Sequence, residues 1–121
     1  MRILVFCQYG MNRSRYLAEY LVEEGYDDVQ FAGVKDPDRK KIQKAINGAD
    51  IIITVSDLVQ RVLRERYHIG SQRMIGLQVD DTPKVAIPGY PPFQGDEWFE
   101  FQRGYVYPEL KKQLSKFLPL R

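Results

Sequence analysis

An apolar run that is followed within a few residues by an amphipathic segment most constrains the fold of this chain. Residues 3–6 are apolar throughout, and from Ser14 onwards apolar side chains recur at helical spacing, at Leu17, Ala18, Leu21 and Val22. This order predicts a buried strand, a short loop and a helix N-terminus. Free backbone N–H groups and the positive end of the helix dipole meet in such a loop, so it is suited to bind an anion.

The loop itself carries residues with distinctive chemistry, in the order Cys7, Gln8, Tyr9, Gly10, Met11, Asn12, Arg13, Ser14. A cysteine at the mouth of an anion site has its thiolate favoured, with a pKa below the unperturbed value of ~8.5. The planar guanidinium of Arg13 offers a fork of donors that fits two oxygens of a phosphate. The stretch therefore supplies a nucleophile, an oxyanion cradle and a cation.

The pattern C-x5-R-S after the first strand resembles that of the low-molecular-weight protein tyrosine phosphatases. The resemblance is strong over residues 2–21 and topological afterwards. It implies that Cys7 attacks phosphorus and forms a cysteinyl-phosphate, that Arg13 holds the equatorial oxygens and that Ser14 hydrogen-bonds the thiolate. It also implies that the rest of the loop binds the substrate, through Gln8, Tyr9, Gly10, Met11, Asn12 and Ser14.

Three positions depart from the pattern of that family. Gly10 stands where asparagine is usual, Asn12 where a second cysteine is common, and Arg15 where proline is usual. Gly10 adopts a positive φ at little cost, so it satisfies the same backbone requirement. The larger tyrosine and dual-specificity phosphatases share C-x-x-G-x-x-R-S, but they carry a histidine at the position of Phe6 and place the loop late in the domain.

The remainder of the chain alternates predicted strands and helices. Further strands are predicted at residues 29–32, 51–55 and 74–79, and helices that open at residues 36–38 and after Ser56. This βαβαβαβ order predicts an α/β three-layer sandwich with a four-stranded parallel sheet, in a single domain of residues 1–121. Loops at the carboxyl ends of the strands should face Cys7. Asp96 is predicted to cap a further helix, and Pro108 either to begin the last helix or to kink a longer one.

A cysteine-dependent phosphatase needs a proton donor for the leaving oxygen. The resemblance places an aspartate for this role in the loop after the fourth strand, which here begins with Asp80 and Asp81. We expect Asp81 to be the acid, since it lies one step further past the strand, with Asp80 as the second candidate. A turn or capping role is the alternative for this pair. Asp36 is a rival by composition, although capping the second helix suits it better.

Aromatic residues are candidates for the walls of a slot that holds a phosphotyrosine ring. They are Tyr9, which lies inside the loop, Tyr90 and Trp98. For Tyr90 and Trp98, packing of the proline-rich segment onto the sheet is an equally good explanation. His68 is the only histidine and has no partner pattern for a metal or a catalytic role.

The amino-acid composition indicates which binding partners and which cellular compartment suit the chain. The chain has 121 residues, 44% of them hydrophobic and 28% charged, which suits one compact soluble domain. A net charge of +2 is too small to indicate nucleic-acid binding, and no apolar run reaches the length of a membrane span or resembles a signal peptide. The single cysteine excludes an internal disulfide and is typical of the reducing cytoplasm. No Cys and His cluster indicates a metal site.

The sequence thus predicts hydrolysis of a phosphate monoester without a metal or other cofactor. The expected substrate is phosphotyrosine in a protein or a small aryl phosphate. Arsenate reduction on the same fold is an alternative, but it would need an external thiol because only Cys7 exists. Phosphocarrier subunits of sugar transport systems share the layout and lack the arginine. A phosphate-sensing module without an efficient acid is a further alternative.

Overall fold

Four parallel strands form one sheet in the computed structural model, which describes residues 1–81 and 96–120. The strands are β1 (Ile3–Cys7), β2 (Val29–Gly33), β3 (Ile51–Thr54) and β4 (Arg73–Gly76). Their order across the sheet is β2-β1-β3-β4. The predicted α/β fold with a four-stranded parallel sheet is confirmed.

The two central strands, β1 and β3, are buried at every residue. They pair in parallel, from Ile3 opposite Ile51 to Phe6 opposite Thr54. Burial of every residue requires cover on both faces of the sheet, and this is why both runs are apolar rather than alternating.

Helices provide that cover. They are α1 (Arg13–Glu23), α2 (Arg39–Gly48), α3 (Asp57–Arg66), α4 (Glu97–Phe101), a π-helical segment (Gln102–Val106) and α5 (Tyr107–Ser115). The chain crosses the sheet in one direction from β1 to β2 and in the other from β2 to β3 and β4. Right-handed crossovers therefore place α1 on one face and α2 and α3 on the other, and α1 packs against α5.

Of the N-terminal caps predicted for α2 and α3, the structure confirms one and contradicts the other. Ser56 caps α3 as predicted, since its Oγ accepts a hydrogen bond from the N–H of Val59 at 3.2 Å. The cap of α2 is Asp38, which accepts from the N–H of Lys41 at 3.1 Å, so the prediction of Asp36 as the cap was wrong. Asp36 instead accepts from the N–H of Asp38 at 2.8 Å, and this bond holds the pKa of Asp36 below its usual range.

The strands β3 and β4 end earlier than their apolar patterns predict, at Thr54 and Gly76. The chain nevertheless continues alongside β3, because the N–H of Leu77 donates to the carbonyl of Thr54 and that of Val79 to the carbonyl of Val55, both at 2.8 Å. Leu77 and Val79 stay buried. We call this segment, residues 77–81, the β4 exit; it carries Asp81 towards the carboxyl edge of the sheet.

The last helical elements form one continuous run with a widened turn in the middle. The N–H of Tyr107 donates to the carbonyl of Gln102, which is the i to i−5 pattern of a π-helix. Pro108 has no N–H, and in a regular α-helix its ring would clash with the carbonyl four residues earlier. Pro108 thus perturbs a longer helix, the second of its two predicted roles. Asp96 precedes α4 as predicted, but its side chain makes no capping hydrogen bond.

Gly10 and Gly33 bring the loop after β1 and the end of β2 into direct backbone contact. Gly10 has φ +72°, and a Cβ built on it would lie 2.7 Å from the nitrogen of Gly33. A Cβ on Gly33 would lie 2.4 Å from the carbonyl carbon of Tyr9, which is a backbone atom and cannot rotate away. Both positions therefore require glycine. Their contact fixes the distance between the loop after β1 and the end of β2.

We predict that Gly33→Ala lowers the free energy of unfolding by ~1–3 kcal/mol, as overpacking does, and weakens phosphate binding because the loop is displaced. Gly104→Ala is the matched control, since a Cβ there meets nothing within 4 Å. It should be neutral or stabilising by up to ~1 kcal/mol. Urea unfolding and phosphate titration measure both effects. Equal stability of the two variants would contradict the close approach.

Candidate active site

Cys7 is the last residue of β1, and its sulfur lies among several hydrogen-bond donors. The Oγ of Ser14 lies 3.0 Å from Sγ, and the N–H of Gly10 donates to Sγ at 3.1 Å. Burial raises the pKa of the Cys7 thiol, but the Ser14 hydroxyl and the backbone N–H groups of Ser14, Gly10 and Asn12 outweigh it, so the pKa lies below its ordinary value. The site therefore favours a thiolate, the nucleophilic form of cysteine.

The carbonyl groups of Cys7 and Gln8 accept hydrogen bonds from the residues that follow β2. The carbonyl of Cys7 accepts from the N–H of Val34, and that of Gln8 from the N–H of Lys35, both at 3.0 Å. These two acceptors continue the parallel ladder beyond the end of β2. Loop N–H groups meanwhile converge on the sulfur, which is the arrangement that an anion site requires.

Arg13 opens α1 and is only 4% exposed. Its Nη1 donates to the carbonyl of Val79 in the β4 exit at 2.8 Å. Its Nε is buried and has no hydrogen-bond partner among the described residues; the nearest acidic oxygen is Oδ2 of Asp81, at 3.6 Å. A buried guanidinium with an unmatched donor is suited to receive an anion, because an oxyanion would supply the missing acceptor.

A cavity of about 620 Å³ joins most of the predicted site residues. Its described lining is Cys7, Gln8, Tyr9, Met11, Asn12, Arg13, Asp81, Trp98, Phe99 and Tyr107. Gly10 and Ser14 are not part of the lining, and both contact the sulfur directly. Tyr90, also predicted for this site, lies outside the described residues.

The two neighbouring aspartates lie in different surroundings. Asp81 lines both the cavity that contains Cys7 and an adjacent cavity of about 280 Å³, whereas Asp80 lines only the adjacent one. The carboxylate of Asp80 accepts from Nε2 of Gln78 at 3.1 Å. Asp36, the third candidate, is not among the lining residues of the Cys7 cavity. The geometry therefore favours Asp81 over the other two, and its role as the acid remains a prediction.

Aromatic side chains form much of the cavity wall. Tyr9 and Phe99 line the cavity and are 67% and 54% exposed. Tyr107 is stacked on Tyr16, with ring centroids 4.3 Å apart and planes 2° from parallel. Tyr9 and Trp98 were predicted to line a slot; Phe99 and Tyr107 were not predicted.

Sequence reasoning also missed a hydrogen-bonded connection behind the cavity. Nδ2 of Asn12 donates to Oε1 of Gln102 at 2.6 Å, and Nε2 of Gln102 donates to the carbonyl of Asp81 at 2.9 Å. The hydroxyl of Tyr107 donates to Oδ1 of Asn12. No motif signals this connection, since Asn12 and Gln102 are 90 residues apart.

Two further searches concern the described residues alone. No helix there combines the length and the apolar character that crossing a membrane requires. No group of three or more His, Cys, Asp or Glu side chains in the described ranges is placed to hold a metal ion.

Comparison with known proteins identifies the fold. No protein-family model and no curated protein matches the chain. Among solved structures, it is similar to a cysteine-to-serine variant of YwlE arginine phosphatase with a phosphorylated active-site serine, at 11% identity over 100% of this chain and 98% of that chain, with a TM-score of 0.51. It is also similar to a YwlE mutant from Bacillus subtilis, at 17% identity over 98% of each chain and a TM-score of 0.51. The chain therefore shares the fold of these phosphatase structures.

We predict that Ser14→Ala raises the pKa of Cys7, because the hydroxyl that favours the thiolate is lost while burial of the sulfur remains. The rate of alkylation by iodoacetamide, followed against pH, measures this value, and a single cysteine makes the signal unambiguous. Ser115→Ala is the control, since the Oγ of Ser115 donates to the carbonyl of Lys112 on the exposed part of α5. An unchanged inflection in Ser14→Ala would contradict the role assigned to this hydrogen bond.

Proposed function

We propose that this protein hydrolyses phosphate monoesters, most of all phosphotyrosine in proteins or small aryl phosphates, as a divergent low-molecular-weight protein tyrosine phosphatase. The observation that carries the proposal is the Cys7 sulfur, held by backbone N–H groups and Ser14 in one cavity with the buried Arg13. A thiolate, an oxyanion cradle and a fork-shaped cation are the components that phosphoryl transfer needs.

The first chemical step forms a covalent intermediate. The Cys7 thiolate attacks phosphorus, the bond from phosphorus to the ester oxygen breaks, and Asp81 protonates the departing oxygen. The N–H groups of the loop and the guanidinium of Arg13 bind the three equatorial oxygens and stabilise the charge of the transition state. A structural neighbour, the YwlE variant with a phosphorylated active-site serine, is consistent with covalent transfer on this fold.

The second step releases phosphate. Water attacks the phosphorus of cysteinyl-phosphate, Asp81 takes up a proton from that water, and the bond from phosphorus to sulfur breaks. Cys7 returns as a thiolate, which is a good leaving group because its hydrogen bonds lower its pKa. The cycle uses only residues of this chain and water, so we propose no metal or other cofactor.

The cavity lining supports an aryl phosphate as the substrate. Tyr9, Trp98, Phe99 and Tyr107 offer aromatic faces and edges on which a phenyl ring packs. Among the described lining residues Asp81 is the sole carboxylate, and it is needed for proton transfer. A substrate with a flat, uncharged ring therefore matches this lining best.

Phosphoarginine is the second candidate substrate, because both structural neighbours are forms of YwlE and one is described as an arginine phosphatase. A phosphorylated guanidinium needs acceptors for its N–H groups, which Asp81 and the side chain of Gln8 would have to provide. Comparison of kcat/KM for phosphotyrosine and phosphoarginine decides between the two. A preference for phosphoarginine would retain the mechanism and overturn the aryl specificity.

Other functions fit the site less well. Arsenate reduction would require an external thiol, because Cys7 is the only cysteine of the chain. A phosphocarrier has no need of Arg13, a buried cation whose Nε has no hydrogen-bond partner among the described residues and is free to bind a phosphate oxygen. A single activated thiol also requires a reducing compartment, for which we propose the cytoplasm.

We predict that Cys7→Ser abolishes turnover of aryl phosphates and leaves the binding of phosphate or vanadate measurable. A serine hydroxyl stays protonated at neutral pH, so chemistry fails while the loop N–H groups and Arg13 remain. Steady-state kinetics and vanadate titration of the same preparation measure the two properties. Full activity of Cys7→Ser would exclude the covalent mechanism.

Asp81→Asn should show a dependence on the leaving group. Hydrolysis of phosphotyrosine should fall by ~100-fold or more, within the range of general acid catalysis, whereas an ester of a strongly acidic phenol should be affected much less. Asp80→Asn is the matched control, because Asp80 does not line the cavity that contains Cys7 and its carboxylate accepts a hydrogen bond from Gln78. An exchange of the two results would make Asp80 the acid, and equal small effects would remove the β4 exit from the mechanism.

A further inference from the structure

Gln102 connects the Cys7 loop to the β4 exit from a buried position. Only 1% of this residue is exposed, so its amide depends on protein partners for hydrogen bonds. Its Nε2 donates to the backbone carbonyl of Asp81 at 2.9 Å, and its Oε1 accepts from Nδ2 of Asn12 at 2.6 Å. A single side chain thus contacts both the candidate acid and the candidate phosphate loop.

Which group donates in each hydrogen bond of this connection follows from one fixed acceptor, the backbone carbonyl of Asp81. The carbonyl of Asp81 cannot donate, so Gln102 must present its NH2 group there and its oxygen to Asn12. Asn12 must then donate to Gln102, which leaves its own oxygen to accept from the hydroxyl of Tyr107. Burial, followed by the carboxylate of Glu19, raises the pKa of Tyr107, so this hydroxyl stays protonated and able to donate. The connection has a single consistent arrangement.

The π-helical segment is what allows Gln102 and Tyr107 to meet the same asparagine. In an α-helix, residues five apart lie about 140° apart around the axis, at about 100° per residue. Here the N–H of Tyr107 bonds the carbonyl of Gln102, so the two residues lie one wide turn apart on the same side. The irregular turn next to Pro108 therefore builds the connection, in keeping with the frequent placement of π-turns at functional sites.

Arg13 also contacts the β4 exit, but a substrate would compete for one of its contacts. Its Nε lies 3.6 Å from the carboxylate of Asp81, and a phosphate that binds this donor would displace the carboxylate and repel it. The bond from Gln102 uses the backbone carbonyl of Asp81 instead. It is therefore compatible with a bound phosphate and with a protonated carboxyl group.

We propose that Gln102 is a positioning residue that holds Asp81 over the substrate after phosphate has engaged Arg13. This inference rests on the proposed function, in which Asp81 protonates the leaving oxygen. Gln102 does not touch the reacting atoms in this account; it acts through the backbone of Asp81, and Asn12 and Tyr107 fix its orientation.

Gln102→Glu is the sharpest test, because it keeps the length and the acceptor that faces Asn12 but replaces the donor that faces Asp81 with a carboxylate oxygen. We expect kcat/KM for phosphotyrosine to fall by ~10-fold to ~100-fold, since displacement of a catalytic group by about 1 Å has effects of this size. For dinitrophenyl phosphate, which needs little protonation, the fall should stay below ~3-fold. In the uncharged variant Gln102→Met, vanadate affinity should not change, because no charge is added beside the Cys7 loop. Gln102→Met, which is uncharged and similar in length, should show the same dependence on substrate.

Two controls separate positioning from a general loss of structure. Gln43→Glu makes the same chemical change in a side chain that bridges the backbone of His68, and should leave both rates unchanged. In an Asp81→Asn background, Gln102→Glu should have little further effect on phosphotyrosine, because residues that act through one group are not additive. Tyr107→Phe keeps Gln102 and Asn12 and removes only the hydroxyl that donates to Asn12. It should therefore change the ratio of the rates for phosphotyrosine and dinitrophenyl phosphate in the same direction as Gln102→Glu, but by a smaller factor.

The outcomes distinguish the inference from the function on which it rests. If Asp81→Asn depends on the substrate and Gln102→Glu lowers both rates equally, lowers neither, or is additive with Asp81→Asn, the role of Gln102 is overturned. If both Gln102 variants fail to fold by circular dichroism, an unchanged rate ratio in Tyr107→Phe overturns it. If the wild-type protein turns over neither ester, or Cys7→Ser stays active, the proposed function itself fails and the positioning role with it.

Discussion

The candidate site depends on the hydrogen bonds that favour the thiolate form of a cysteine at the end of a buried strand. Burial of Cys7 opposes the charge, and the hydrogen bonds of Ser14 and the loop N–H groups outweigh that opposition. These donors converge only because the chain turns sharply after β1 and enters α1 at once. A small change in the backbone of this turn would leave a buried sulfur without its donors, and burial alone raises the pKa of a thiol.

Close approach of two glycines keeps this turn in place. Gly10 takes a positive φ and lies against Gly33, so the loop rests directly on the end of β2. The carbonyl groups of Cys7 and Gln8 accept hydrogen bonds from the residues after β2, so both carbonyls are occupied on that side. The edge strand β2 thus supports the conformation of the loop, although it contributes no lining residue to the cavity.

The second half of the chain supplies the other side of the site. Arg13 and Gln102 hold the backbone of the β4 exit through Val79 and Asp81. A widened helical turn beside Pro108 places Gln102 and Tyr107 on one asparagine of the loop. Aromatic residues from α4 and α5 complete the cavity wall. Asp81, the Cys7 loop and Tyr107 of the cavity wall are therefore joined by one set of hydrogen bonds rather than being independent.

The sequence by itself determined the parallel sheet, the place of Cys7 and Arg13 at a helix N-terminus, and the suitability of Gly10 for a positive φ. These features are local: apolar runs, helical spacing and a motif of eight residues specify them without distant contacts. Only the tertiary structure decided that Asp81 rather than Asp80 or Asp36 shares the cavity, that Asp38 caps α2, and that Gln102 and Tyr107 belong to the site. Those outcomes depend on where each strand ends, on the hydrogen-bond pattern of one helical turn and on contacts between residues 90 or more positions apart in the chain. The periodicity of apolar residues predicts none of these.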